Sequence, residues 1–334
     1  MLNLNTLLLN ASIIQSLMTI QDFNHIVDLT FQDLGKGKTI NPRKISLDLG
    51  ETGNYPYYEG FMNAMPAYVG FQDVAGLKWV GGFAGERQQA DLPYITAMLT
   101  LINPHLGTFL AVMDGAYISK RRTGAQTAMA IQYLLRKKSV TIGIYGVGKQ
   151  ARCAIEAIAQ TMTIDTLYIW NHRRSSAEQF KQDMTDIVQG EMIVVDSGKE
   201  AAQAEVLITL TPAQEPIIQT DWVQKGTIVM PMGSFQEIED SLILKADKII
   251  VDHIEQALTR GALKHLHNQD QISAADIHST IGQHAVSKQG LPHIADEIVL
   301  CIPIGTGAMD VACGYEIYQR AKVQDLGQTF NFLD

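Results

Sequence analysis

Cysteine is scarce in this chain of 334 residues, and so is charge. The three cysteines, Cys153, Cys301 and Cys313, are odd in number and lack metal-ligand spacing. That argues against a disulfide scaffold or a structural zinc and fits a reducing cytoplasm. Charged residues make up only 18%, too few for a disordered, solvating chain. The net charge is −9, and no cluster of Lys and Arg is long enough to track a phosphate backbone, so nucleic acid is not expected as a partner. No apolar run approaches the ~18 residues of a membrane span, and Met1-Leu2-Asn3-Leu4-Asn5 lacks the basic region of a signal peptide. Internal repeats and low-complexity tracts are missing as well. The expectation is a soluble, cytoplasmic protein.

What is present is material for a core. Hydrophobic residues make up 46%, at a mean hydropathy of +0.01. A chain of this length exceeds what one core usually supports, which points to two domains. In the first third, Asn10 and Thr19 are placed to cap helices over Ala11–Met18 and Ile20–Leu34. Apolar or alternating stretches follow at Ile45–Leu49, Tyr57–Ala67, Val74–Val80, Tyr94–Leu101 and Phe109–Met113, the pattern of a mostly antiparallel sheet. From about Thr123 the rhythm changes. A helix over Ala125–Leu135 precedes a strand–helix alternation, with strands near Val140–Tyr145, Thr166–Asn171, Met192–Val195, Val206–Thr211, Thr227–Met232, Lys248–Asp252 and Glu297–Ile302. Such alternation builds a parallel sheet from right-handed βαβ units. A closing helix is predicted over Thr306–Lys322. Its apolar positions Ala308, Val311, Ala312, Tyr315 and Tyr318 make a buried stripe that returns to the first domain.

The strongest motif is Gly146-Val147-Gly148-Lys149-Gln150-Ala151, lying between the β-branched run Val140–Tyr145 and a helical Ala151–Thr161. In a dinucleotide-binding G-x-G-x-x-A turn, the first glycine permits the bend and the second admits the pyrophosphate. The third position, here Ala151, allows helix and strand to approach. At the end of the next strand, 25 positions on from Gly146, stands Asn171 rather than the acid that bonds NAD ribose hydroxyls. Arg173 and Arg174 follow, and two arginines beside a neutral residue favour NADPH over NADH; solvated loop charges are the alternative. Thr209 and Thr211, then Met232, Gly233 and Ser234, fall at carboxyl ends of predicted parallel strands, where such sheets bind ligands.

Three basic residues draw notice by context: Arg43, Lys78 in Gly76-Leu77-Lys78-Trp79-Val80, and Arg122 in Arg122-Thr123-Gly124-Ala125. Taken singly, each reads as an ordinary surface charge. Lys78 is the exception in kind, since it interrupts an apolar strand where a surface lysine gains nothing. Together with the Gly146 turn and Gly305-x-Gly307-x-x-Asp310, these segments resemble the ornithine cyclodeaminase/μ-crystallin family, in the family's order and over nearly the whole chain. The resemblance implies an α/β fold with a Rossmann doubly wound parallel sheet, residues 123–305. It also implies a discontinuous α+β substrate and dimerisation domain, residues 1–122 and 306–334, and a homodimer. It implies that Arg43, Lys78 and Arg122 converge on the α-carboxylate of a small amino or imino acid, with Asp310 as the acidic residue near the pocket. A helix-start carboxylate favoured by the dipole is the alternative for Asp310. Lys78, crowded by arginines and buried, is expected to have a lowered pKa and to exchange a proton with the substrate nitrogen.

One departure from the family matters. In cyclodeaminases and related alanine dehydrogenases an Asp follows a glycine pair at the fifth strand. Aligning Met232-Gly233-Ser234 on that pair places Phe235 there, with Glu237, Glu239 and Asp240 reading as the start of the next helix. The expectation is therefore an NADP- or NAD-dependent oxidoreductase acting on the C–N bond, of imine reductase or amino-acid dehydrogenase type, without a metal. An ornithine-type cyclodeaminase with retained NAD and a non-catalytic, NADPH-binding protein are the other readings.

Overall fold

The computed structural model describes residues 5–50, 58, 60–233 and 236–332. By contact the chain divides into two units, one of residues up to Arg122 together with those from Thr306 onward, the other Thr123–Gly305.

The first unit is built on a seven-stranded sheet. Its strands are β1 (Asn5–Leu9), β2 (Ile45–Asp48), β3 (Gly60–Val69), β4 (Val74–Phe83), β5 (Ile95–Ile102), β6 (Phe109–Asp114) and β15 (Gln328–Asn331), in the order β15-β1-β6-β5-β4-β3-β2. Five of the six pairings are antiparallel and β1 runs parallel to β6, so the sheet is mixed. The predicted caps form. Asn10 accepts from the Ile13 amide at 3.1 Å, and Thr19 makes a reciprocal box with Asp22, starting helices Ala11–Leu17 and Ile20–Gly35. One face of the sheet is sealed by the long helix Gly307–Val323. That helix sits low on the strands because Gly307 and Gly314 have no side chain. A Cβ on Gly307 would meet the Met65 carbonyl oxygen at 2.6 Å, and one on Gly314 would meet a Leu99 methyl at 2.1 Å.

The second unit holds eight parallel strands: β7 (Ser139–Tyr145), β8 (Thr163–Trp170), β9 (Glu191–Val194), β10 (Val206–Thr209), β11 (Ile228–Pro231), β12 (Lys248–Val251), β13 (Ser279–Thr280) and β14 (Val299–Ile302). Their order is β13-β12-β14-β11-β10-β7-β8-β9. Winding runs outward from β7 in one direction and resumes at β10 in the other, so the chain reverses between β7 and β10. That reversal is the topological switch point at which open parallel sheets bind ligands. Strands β7, β10, β11 and β14 are buried almost throughout, which is why they read as continuous apolar runs. The α/β class and the doubly wound parallel sheet agree with the sequence reading. The helix expected over Ala125–Leu135 begins earlier, at Ala116, so Arg122 lies on a helix rather than ahead of one.

Candidate active site

At the carboxyl end of β7, Gly146 adopts φ +91°, a conformation that favours glycine, and a Cβ there would lie 2.6 Å from the Thr211 methyl. Gly148 precedes the helix Lys149–Ala159 and supplies no side chain to cap it. A Cβ added at Gly148 would meet nothing within 4 Å, so open space stands before the helix N-terminus. The positive end of the helix dipole, with no side-chain cap from Gly148 and open space beside it, suits a diphosphate. Ala151 lies on the buried face of the helix with Ala154, Ile155 and Ile158, whereas Lys149 is exposed and Gln150 half-buried. The residues present thus fit the phosphates of a dinucleotide.

At the end of β8 the residues expected to choose the cofactor are differently occupied. Asn171 donates its amide to the Arg173 carbonyl at 3.0 Å. Arg174 is engaged by two carboxylates, Asp196 and, at 3.3 Å, Glu178. The expected pair of phosphate-gripping arginines therefore reduces to Arg173, which is exposed.

In the first unit, β4 places Lys78 between Met65 on β3 and Leu99 on β5, in a row facing the closing helix. Only 1% of Lys78 is exposed. Its Nζ donates to Asp310 Oδ2 at 2.6 Å and to Ser119 Oγ at 3.2 Å. Arg122 Nε donates to the other carboxylate oxygen, Asp310 Oδ1, at 3.1 Å. Asp310 lies in the first turn of the closing helix and is fully buried, so it is both a dipole-favoured carboxylate and the counter-ion of two cations. Burial and the neighbouring Arg122 pull the Lys78 ammonium down from 10.5 to about 8, against the opposing influence of Asp310. Ser119 was not foreseen. It precedes Arg122 by one helical turn, the only local signal available for it. Arg43 stands exposed, outside this ion-pair group.

At the ends of β10 and β11, Thr209 is buried and Thr211, Met232 and Gly233 are half-buried. Ser234 and Phe235 lie outside the described residues. Glu237 corrects the sequence reading. It does not open a helix, which starts at Asp240. It turns inward, is fully buried, and accepts from Thr209 Oγ1 at 2.6 Å, from the Thr211 amide and hydroxyl at 2.8 Å each, and from the Gly233 amide at 2.9 Å. Burial pushes its carboxyl above the usual range, against the four hydrogen bonds that favour the ionised form. Glu239 instead accepts from the amide and hydroxyl of Thr220, at 2.7 Å each. Among the described residues no group of three or more His, Cys, Asp or Glu could hold a metal ion, and no helix is long and apolar enough to cross a membrane.

Comparison with known proteins gives a consistent result. The model of the Ornithine cyclodeaminase/mu-crystallin family matches residues 5–325. An alanine dehydrogenase of Archaeoglobus fulgidus is 31% identical, over 98% of this chain and 99% of its own. An archaeal alanine dehydrogenase dimer with bound NAD superposes with a TM-score of 0.89 at 30% identity, covering 98% of this chain and 100% of the other. The Δ1-pyrroline-2-carboxylate reductase of Thermococcus litoralis, in complex with NADH and L-proline, gives 0.87 at 26% identity, over 97% and 99% of the two chains.

Proposed function

The chain belongs to the Ornithine cyclodeaminase/mu-crystallin family, and we propose that it is an NAD(P)-dependent oxidoreductase of the C–N bond in a small α-amino or α-imino acid. The observation that carries this reading is the buried group of Lys78, Asp310 and Arg122. Two buried cations converge on the one carboxylate of Asp310. A guanidinium and an ammonium held side by side in a desolvated site are the groups that recognise a substrate α-carboxylate. Arg122 and Lys78 would hold that carboxylate and so fix the α-carbon, with Arg43 a further contact. Lys78 would give a proton to the imine nitrogen in reduction or take one from the amine in oxidation, which its pKa of about 8 permits near neutrality. Asp310 would keep Lys78 protonated and hold both cations in place.

In the second unit, the Gly146–Ala151 turn would hold the diphosphate. A nicotinamide held there would supply or accept the hydride. Thr209, Thr211, Met232, Gly233 and Ser234 would line the switch point on the nicotinamide side. The test is turnover: added NAD(P)H should be oxidised steadily when small 2-oxo acids are offered with ammonia or simple amines, or when cyclic imino acids are offered. A protein that binds NADPH yet turns over none of these would be a binding protein instead.

Asn171 carries no charge to repel a 2′-phosphate and Arg173 is exposed beside it, which supports a preference for NADPH. With Arg174 committed to Asp196 and Glu178, the preference rests on one solvated contact, worth about tenfold or ~1.4 kcal/mol. Arg173→Ala should then bring the two dissociation constants together, with NADH affinity unchanged. Equal affinities in the unmodified protein would remove the preference.

A homodimer has its own support. Ile45, Ala64, Trp79 and Met98 are successive cross-strand partners on the sheet face turned away from the closing helix. Ile45, Trp79 and Met98 are 71%, 52% and 51% exposed, an apolar row suited to a second copy. Sedimentation at the monomer mass would exclude it. The cytoplasm is the compartment that suits three cysteines outside any disulfide and this cofactor.

A further inference from the structure

We propose that Glu237 is a positioning residue for the dinucleotide turn, its buried carboxylate setting the place of Gly146 through Thr211. The inference rests on the dinucleotide reading above and adds a residue that the G-x-G-x-x-A motif does not contain.

Three features support it. First, the carboxylate adds side-chain bonds between the ends of β10 and β11, where the Met232 amide also donates to the Thr209 carbonyl at 3.1 Å. Oε1 accepts both hydrogen bonds from Thr211, after β10, and Oε2 accepts from Thr209 at the end of β10 and from the Gly233 amide after β11. Second, Thr211 is in contact with the turn. Its hydroxyl is held by Glu237, and its methyl fills the space that a Cβ on Gly146 would need, at 2.6 Å. The Leu210 carbonyl lies 2.9 Å from that same point. Gly146 follows β7 and Thr211 follows β10, the two strands between which the winding reverses, so this contact lies at the switch point itself. Third, Gly233 is small because Glu237 is there. A Cβ on Gly233 would come within 2.6 Å of the carboxylate oxygen.

The hydrogen bonds also explain why the residue is an acid. Two of the four donors are backbone amides, Thr211 on one oxygen and Gly233 on the other, and neither can turn round. A glutamine must direct its NH2 group at one of them in either orientation, whereas a carboxylate accepts from both. The carboxylate is therefore required by the backbone at both strand ends, and the hydroxyls of Thr209 and Thr211 complete its shell.

The experiment uses the full-length protein and titrates NADPH and NADH by fluorescence, alongside steady-state kinetics. Glu237→Gln should raise the dissociation constant and the KM for the dinucleotide at least tenfold, the fold-change of one lost charge-assisted hydrogen bond. The KM for the imino acid and kcat at saturating dinucleotide should change less than about twofold, since the substrate cations lie in the other unit. Thr211→Val keeps the methyl contact and loses the hydroxyl, and should weaken dinucleotide binding about threefold or more. Added to Glu237→Gln it should do little further, because both changes break the same link. Unchanged dinucleotide affinity in Glu237→Gln, or full additivity of the two substitutions, would overturn the proposal. Should Glu237→Gln fail to fold, Thr211→Val alone decides, and unaltered affinity in it is refutation. If the unmodified protein binds no dinucleotide, the dinucleotide reading falls first and this inference with it.

Discussion

Asp310→Ala should lower the melting temperature by on the order of 10 °C and imine reduction by ~10²–10³-fold, while dinucleotide affinity stays within a factor of two. The side chain is fully buried and is the counter-ion of both Lys78 and Arg122. Removing it leaves two like charges side by side out of water, a loss of about 3–5 kcal/mol for a broken buried pair. Lys78 can relieve part of that by giving up its proton, and this is where the pH dependence enters. Its folded pKa, about 8, lies below the ordinary 10.5. The ammonium therefore costs stability at pH values below about 8, a penalty of ~3 kcal/mol that fades as pH rises from about 8 towards 10.5. For the chemistry the sign is the reverse. Imine reduction needs the proton and should decline as pH rises through about 8, whereas amine oxidation should gain over the same interval. In Asp310→Ala the carboxylate that raises the Lys78 pKa is gone, so the limb should move to lower pH. Lys78→Ala should abolish the limb and most of the activity. Melting curves at two pH values and a pH–rate profile followed by NADPH absorbance settle it. An Asp310→Ala protein with the parent's melting temperature and an unmoved limb would remove the carboxylate from the mechanism.

How far this site could be read from sequence differs from residue to residue, for physical reasons. Lys78 was conspicuous because burial leaves a local trace: a cation inside an apolar strand must have a partner. The identity of that partner is a long-range fact, since Asp310 is 232 positions away and only the closing helix brings it back. The same holds for β1 and β15, which were missed. Asn5–Leu9 has three leucines and no alternation, and it becomes a strand by pairing with β6 about a hundred residues later. The parallel strands were legible because full burial makes them continuous β-branched runs. Glu237 was misread because Glu-Ile-Glu-Asp looks like the acidic first turn of a helix. The cost of burying it is met by donors on three residues at two strand ends, and no local pattern reports that. Arg174 was partly legible: Glu178 is four residues on, the spacing of a helical ion pair, although Asp196 is not local.

Incubated with ornithine and a trace of NAD⁺, the protein should form proline and ammonia at less than about one hundredth of its imine-reduction rate, a deficit of roughly 2.7 kcal/mol or more in the barrier. Cyclodeamination requires hydride loss from the α-carbon, attack by the distal amine, departure of ammonia and return of hydride to the ring. Protons must be moved at nitrogen more than once, which calls for a carboxylate at liberty to act as base. The position that the family resemblance gives to that acid is Phe235, which cannot accept a proton. The neighbouring acids are committed elsewhere. Glu237 receives four donors and is fully buried, and Glu239 is held by Thr220 ahead of the helix that begins at Asp240. Freeing either to act as a base would break at least two hydrogen bonds, one of them to a backbone amide, at about 1–3 kcal/mol for each amide left unsatisfied. Reduction of a preformed imine asks for less: one hydride and one proton, which Lys78 can supply. Substituting Phe235→Asp tests the argument from the other side. If the missing base is the barrier, that change should raise ornithine turnover above the parent's background while slowing imine reduction. Brisk proline and ammonia formation by the unmodified protein would show that another group performs the proton transfers and would overturn the assignment to the reductase side of the family.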